Sequence, residues 1–383
     1  MKILYDHQAF TMQYFGGVSK SFCELISHLP NDVKYEISIK QSDNVHLMAS
    51  NLIDNIEKVK LDSKKFHKYI NIKGSEKLYN LLKDIHLFRT AEQVNLKCSI
   101  NALKKRNFDI FHATFYDLYF LKYIGDKPFV LTVHDMMPEL FPWYFRKNNT
   151  ETMRKRLLCE KASIIIAVSE QTKKDLVRLF EIPDKKIIVI YHGGPEIMKK
   201  PVKDSSNGTY FLYVGQRSAY KNFDQTLRDF GTFVLKHKDI KLICTGAPFT
   251  LYEVKLIDEL DLNCNVFHKS PTDKKLLSLY VNAIGFVYPS LYEGFGMPIL
   301  EAFACGCPVL LNSTSCFPEI GGQGALYFNS SESGSNLPHL LEQVYSLSNG
   351  DRQILINRGF ERLKNFSWQK SSDQLVNLYN GLI

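Results

Sequence analysis

Residues 288–309, YPSLYEGFGMPILEAFACGCPV, place the end of an apolar run, a turn with two glycines and an apolar helical segment in immediate succession. The run itself, residues 284–288, is short and closed by Pro289, which is how a buried strand reads. Gly294 and Gly296 let the following loop bring backbone N–H groups close to a ligand with no side chain in the way. A helix over residues 297–304 would start with Pro298 in its first turn, where a missing N–H costs nothing. Its N-terminus faces the loop, and the unpaired amides there, with the positive end of the helix dipole, suit an anionic or hydroxyl-rich ligand. Glu293 precedes this point and Glu301 lies a turn further along the helix, so two carboxylates can hold two hydroxyl-bearing parts of one ligand. The plainer reading is a strand, a turn and a core helix carrying two solvated acids, because a glycine turn before a helix is a weak motif.

At 383 residues the chain exceeds one ordinary hydrophobic core, and length favours two domains. Hydrophobic content of 45% and charged content of 23% are those of a soluble globular protein. The N-terminal MKILYDHQAF has an apolar run of only Ile3, Leu4 and Tyr5, and the longest run elsewhere, residues 162–168, is far too short for a bilayer. A cytoplasmic protein with no transmembrane segment is expected. The eight cysteines have no paired metal-ligand spacing and read as buried, reduced thiols. The formal charge of +8 belongs to the first half: residues 1–195 hold 30 Lys and Arg against 22 Asp and Glu, and residues 196–383 hold 18 of each. Within residues 57–106 the balance is 13 against 5. A solvated helical face explains such a run, as would peripheral contact with an anionic membrane or a lipid-phosphate acceptor. Nucleic acid is not expected as a partner, since no reading motif accompanies the charge.

Strand and helix signals alternate along the chain. Lys2–Tyr5 reads as a strand, followed by a loop ending in Tyr14-Phe15-Gly16-Gly17-Val18. Ser21 and Glu24 then have capping-box spacing before an apolar helix face. Strand, glycine pair, helix is a phosphate-binding layout, although GG turns are common and no GxGxxG is present. A strand at residues 35–39 precedes helical patterning with Leu78, Leu81, Leu82, Ile85 and Leu87 on one face; acceptor or membrane contact is expected there. Strands follow at 109–112 and 129–133, the second ending in His134-Asp135 at the edge where open α/β sheets bind ligands. His134 also reads as a satisfied structural histidine. MMPELFPWYF at 136–145 carries two prolines and four aromatics and suits either an acceptor-side loop or packing. A strand at 163–168, a helix capped by Ser169, a strand at 187–191 and the turn HGGP from His192 complete the first half. The polar segment 199–209, with Pro201, Asn207 and Gly208, reads as a linker.

A strand at 210–214 opens the second half, and Arg217 and Lys221 follow its exit. Two cations four residues apart at a strand end can face one diphosphate, or be surface charge. Strands at 241–245, 266–267, 308–311 and 325–328 continue the alternation, with Ser270-Pro271-Thr272-Asp273 before a helix and SCFPEIGG, containing Glu319, in a turn. The end of the chain, FSWQKSSDQLVNLYNGL from Phe366, is amphipathic.

Glu293 and Glu301, with seven residues between them, resemble the signature of retaining GT-B glycosyltransferases of family 4, also called group 1. Gly16-Gly17-Val18, His134-Asp135, VSEQTKKDL from Val168 and YVGQRSAYKNF from Tyr213 resemble the same family. The resemblance implies an α/β protein of two Rossmann-like, doubly wound domains facing across a cleft. Residues 1–195 would form the acceptor-side domain, with helix 366–383 crossing back onto it, and residues 196–365 would bind the nucleotide sugar. It implies that Glu293 approaches the donor sugar, Glu301 holds the ribose hydroxyls, and Gly294, Phe295 and Gly296 offer backbone amides. It places His134 against the sugar, Gly16 and Gly17 over the diphosphate, Arg217 and Lys221 on the leaving diphosphate, and residues 270–273 along the base pocket. The reaction implied is retaining transfer of a hexose from GDP-mannose or a UDP-hexose to a saccharide or lipid-linked saccharide in polysaccharide or O-antigen synthesis. No Asp-x-Asp occurs, so neither a metal nor a cofactor beyond the nucleotide-sugar co-substrate is expected. Two other readings use the same architecture: a sugar-nucleotide epimerase or phosphorylase, and a catalytically silent nucleotide-binding partner. An epimerase needs no acceptor cleft, a phosphorylase needs a cofactor lysine and a longer chain, and a silent partner has no use for all of Glu293, Glu301, Arg217 and Lys221.

Overall fold

The computed structural model describes residues 1–59, 90–145, 150–198, 206–217, 219–331 and 334–383. Six short strands form the first sheet: β1 (Lys2–Tyr5), β2 (Lys34–Ile37), β3 (Ile110–Ala113), β4 (Phe129–Val133), β5 (Ile164–Ala167) and β6 (Ile187–Val189). Six more form the second: β7 (Tyr210–Tyr213), β8 (Lys241–Cys244), β9 (Val266–His268), β10 (Gly285–Tyr288), β11 (Val309–Asn312) and β12 (Ala325–Phe328). The central strands are apolar at nearly every position because helices cover both faces, the condition under which parallel sheets occur. Side chains alternate between two cores: Ile3 and Tyr5 pack on one face of the first sheet and Leu4 on the other.

All neighbours within the two sheets are parallel, in the orders β2-β1-β3-β4-β5-β6 and β12-β11-β10-β7-β8-β9. The direction of winding therefore reverses between β1 and β3 in one sheet and between β7 and β10 in the other. Ligands of open α/β sheets bind at the carboxyl ends of strands at such reversals.

Most expected elements lie within a residue or two of the observed ones, and helix Met297–Ala304 has the expected bounds. The capping box expected at Ser21 and Glu24 is not formed. Helix Gly17–Ser27 begins five residues earlier, with Gly16 at its N-cap, and the Ser21 hydroxyl donates inside the helix to the Val18 carbonyl at 2.8 Å. Ser169 does cap its helix, Glu170–Phe180, accepting from the Thr172 amide. All eight cysteines are free; six are buried, Cys98 is half-buried and Cys264 is exposed. The apolar face Leu78 to Leu87, most of the basic 57–106 stretch, and residues 199–205 of the expected linker lie outside the described residues. Among the described residues no helix is long and apolar enough to cross a membrane.

The last helix, Trp368–Asn380, lies on the first sheet's side of the molecule. Tyr379 Oη bonds to Tyr5 Oη at 2.9 Å and to His112 Nδ1 at 2.6 Å, and His112 Nε2 meets Thr132 Oγ1 at 2.8 Å. Where this segment passes the 192–195 turn, the Gly194 amide donates to the Phe366 carbonyl at 3.1 Å. Gly193 there leaves no room for a Cβ against the Trp368 backbone.

Burial, and then the neighbouring positive charge of Lys155 on His134 and of His134 on the other two, lowers His112, His134 and His192 from 6.5 to about 3. In that interval the unfolded chain binds protons that the folded chain does not. Stability should therefore fall as pH drops from about 6.5 toward 3, by up to about 1.4 kcal/mol per pH unit for each histidine. Urea midpoints measured at about pH 7 and about pH 5 check this; equal midpoints would mean that the folded chain takes up the same protons.

Candidate functional site

The loops leaving the two reversals meet between the sheets. In the second sheet, the exits of β7 and β10 are joined by a hydrogen bond from the Leu291 amide to the Tyr220 carbonyl, 2.8 Å. Lys221 Nζ then reaches Glu293 Oε1 at 2.5 Å, and Ser290 Oγ donates to the same oxygen at 2.7 Å. Ser315 Oγ holds the Glu293 backbone on both sides, donating to its carbonyl at 2.7 Å and accepting from its amide at 3.2 Å. The side chains of Lys221 and Glu293 are 14% and 13% exposed. Burial is the largest single influence and would lower the Lys221 pKa, but Glu293, Tyr220 and Asp135 together outweigh it and the net shift is upward, so the ammonium keeps its charge.

Glycine at 296 is needed for its backbone: φ is +93°, and the residue is the N-cap of helix Met297–Ala304, with proline in the first turn. That N-terminus faces the N-terminus of helix Gly17–Ser27, since a Cβ at Gly17 would lie 3.8 Å from Met297 Sδ. Lys20 Nζ and Glu301 Oε1, 2.8 Å apart, link the two helices. Lys20 carries no sequence signature, being one half-buried lysine on an amphipathic helix. Two helix N-termini thus point their positive ends at one gap, where each of the two lysines is paired with a glutamate.

His134 closes the gap from the first sheet. Gly294 packs so tightly on the His134 carbonyl that a Cβ has no room. The imidazole rests against Phe22 and His192 at ring distances of 5.8 Å and 6.1 Å. Its Nε2 is shielded from solvent and has no hydrogen-bond partner, as are Gln13 Oε1 and His46 Nε2. Those two flank the glycine turn: Gln13 abuts Gly16, and His46 packs on Phe15 at 4.7 Å. Shielded polar atoms without partners are costly unless something else satisfies them. The ring of Phe295 is turned away into the chain crossing, beside His192 at 4.9 Å and Phe366 at 5.9 Å.

Arg217 differs from the expectation that it faces a diphosphate together with Lys221. Its Nε donates to Glu253 Oε1 at 2.9 Å, Nη1 to the Thr245 carbonyl at 3.0 Å, and Nη2 to the Ala247 and Pro248 carbonyls at 2.5 Å and 3.0 Å. The side chain is 3% exposed and lies over Phe249 at 4.9 Å. Glu253 is also the capping-box glutamate of helix Leu251–Glu259, so Arg217 fastens the β8 exit loop.

Of two cavities in this region, one shares lining residues with the gap. That one, of about 450 Å³, is lined by Lys20, Met297, Glu301 and Trp368. The other, about 810 Å³, opens at the ends of β1 and β3 and is lined by His7, Gln8, Asp117 and Tyr119 among others. Buried Asp6 organises its wall, accepting from the Thr114 amide at 3.0 Å, Gln8 Nε2 at 2.5 Å and Tyr119 Oη at 3.1 Å. Among the described residues no three His, Cys, Asp or Glu side chains gather to hold a metal ion.

Two doubly wound domains meeting at their reversal points define the GT-B class of glycosyltransferases. The chain belongs to the group 1, family 4 type: the Glycosyl transferases group 1 model matches residues 195–361 and the Glycosyltransferase Family 4 model matches residues 73–193. O-antigen chain mannosyltransferase B of Escherichia coli is 28% identical over 266 residues, 65% of this chain and 69% of that protein. O-antigen chain mannosyltransferase RfbU of Salmonella typhimurium is 27% identical over 202 residues, 52% of this chain and 56% of that protein. Among solved structures, Anabaena Alr3699/HepE in complex with UDP and glucose superposes with a TM-score of 0.72 at 15% identity, covering 100% of both chains. Sucrose-phosphate synthase from Thermosynechococcus elongatus gives 0.71 at 17%, covering 100% of this chain and 98% of that one. At those identities the structural likeness is one of fold. The chain is a glycosyltransferase, and the epimerase and silent-partner readings are not favoured.

Proposed function

We propose that the chain is a retaining, metal-independent hexosyltransferase that uses a nucleotide-diphosphate sugar to extend a saccharide or lipid-linked saccharide in surface polysaccharide synthesis. The observation that carries this reading is the pairing of Lys221 with Glu293, one residue from the Gly294 that packs on the carbonyl of His134, whose shielded Nε2 has no partner among the described residues. Breaking the bond from the anomeric carbon to the phosphate oxygen leaves positive charge on the sugar and negative charge on the diphosphate. Lys221, the amides of Gly16 and Gly17, and the N-terminus of helix Met297–Ala304 would stabilise the second, with no metal required. Glu293 and His134 would hold the sugar's hydroxyls, and a departing phosphate oxygen would take the acceptor proton on the same face, which retains configuration. The 810 Å³ cavity would receive the acceptor. The names of the O-antigen relatives favour GDP-mannose as donor and O-antigen saccharide as acceptor; UDP-hexoses are the competing donors. Nucleoside diphosphate released from each donor, in EDTA and with acceptor present, tests donor and metal together. Proton coupling at the new anomeric centre tests retention. An inverted product, or activity abolished by EDTA, would reject that part of the proposal.

The two glutamates should separate cleanly. Glu301→Ala should weaken even free nucleoside diphosphate, by about tenfold or more, because it removes charged acceptors for the ribose hydroxyls. Glu293→Gln should leave that affinity nearly unchanged and depress turnover of the intact donor. Calorimetry with GDP and UDP decides; equal losses of affinity in the two variants would place both residues in the nucleotide half.

A further inference from the structure

One helix of the first domain, Glu170–Phe180, receives contacts from three places in the second. Glu319 Oε1 accepts from the Glu170 amide at 2.7 Å and Oε2 from the Gln171 amide at 3.2 Å. Tyr292 Oη donates to Asp175 Oδ2 at 2.9 Å, and Thr172 Oγ1 donates to the Gly294 carbonyl at 3.4 Å. The two residues flanking Glu293 are therefore both held by this helix. Glu319 is itself anchored through its carbonyl, which accepts from Arg362 Nη2, while Arg362 Nε donates to the Ile320 carbonyl at 3.0 Å.

We infer that helix Glu170–Phe180 is the dock that sets Glu293 when the domains close, and that Glu319 is the positioning residue that seats the dock. A carboxylate spread over the first two amides of a helix gains from the dipole and from charge-assisted hydrogen bonds. Both partners are lost together when the domains part. Lys221 and Glu301 lie in the second domain, as does Glu293, and the Lys221–Glu293 contact does not depend on closure. The residues on either side of Glu293, by contrast, Tyr292 through its hydroxyl and Gly294 through its carbonyl, have first-domain partners that would be lost when the domains part. Nucleoside diphosphate should accordingly bind without the dock, whereas sugar transfer should require it. This rests on the reading of Glu293 as the residue that positions the sugar.

Glu319→Gln keeps size and an acceptor oxygen while removing charge, and Tyr292→Phe removes one hydroxyl and keeps the ring. In the full chain, with GDP-mannose and UDP-glucose as donors, each variant is expected to lower kcat by about tenfold or more while GDP and UDP affinities stay within about threefold of the parent. Solution scattering should show Glu319→Gln more expanded than the parent when nucleoside diphosphate is saturating. Unchanged kcat in both variants would overturn the inference, as would nucleotide affinity falling in step with kcat. Should the parent chain itself transfer no sugar, the reading of the site fails, and scattering alone then judges the dock: equal compaction in parent and Glu319→Gln would overturn it.

Discussion

Lys221→Ala is expected to lower kcat by about 10² to 10³-fold, the scale on which one preorganised stabiliser of developing charge acts. Lys221 is the cation that the structure places on Glu293, at the reversal between β7 and β10. Its removal takes away the charge nearest the proposed leaving group and leaves a shielded carboxylate without its cation, the Ser290 hydroxyl still donating to that oxygen. Nucleoside diphosphate should bind more weakly as well, which separates this variant from Glu293→Gln. Circular dichroism establishes that the variant is folded, and diphosphate release per folded molecule gives the effect. Turnover within a few-fold of the parent would show that Lys221 serves the loop and not the leaving group.

Arg217→Ala is expected to cost about 3 to 5 kcal/mol of folding stability, the usual result of breaking a buried ion pair and leaving one charge unpaired. The Arg217 and Glu253 side chains are 3% and 9% exposed, so solvent screens little of the loss. The carbonyls of Thr245, Ala247 and Pro248 lose their donors at the same time. Urea denaturation reads the change, and turnover corrected for the folded fraction should suffer less than in Lys221→Ala. A fully stable Arg217→Ala protein with turnover reduced about 10²-fold would return Arg217 to the diphosphate.

Local features of this fold were legible because most strands are brief, largely apolar runs, and several helices start on readable caps such as Ser169. Glu293, Gly296 and Pro298 form one continuous stretch, so the turn that they build needs no long-range knowledge. What adjacency cannot reveal is pairing across the chain. Lys20 and Glu301 are 281 residues apart, and nothing near either of them names the other. The partners of Arg217 were hidden for the same reason: spacing from Lys221 shows that both cations leave one strand end, but not which way each turns. The decisive partner, Glu253, did have a signal, because Thr250 and Glu253 have capping-box spacing. The dock on helix Glu170–Phe180 is likewise absent from local pattern, since its contacts bridge 117 and 149 residues.

The bond from Tyr379 to Tyr5 and His112 bears on how the chain is made. Domains commonly fold in order of emergence during synthesis, but here the first sheet's core is finished by a helix at the opposite end of the sequence. The N-terminal half must wait, its face for helix Trp368–Asn380 uncovered, while the whole second domain is translated and folds. A ribosome that stalls before helix Trp368–Asn380 emerges would hold a second domain able to fold and a first sheet with that face uncovered. Loss of helix Trp368–Asn380 should thus be felt at the other end of the chain, where Tyr5 and His112 lose the hydroxyl that joins them.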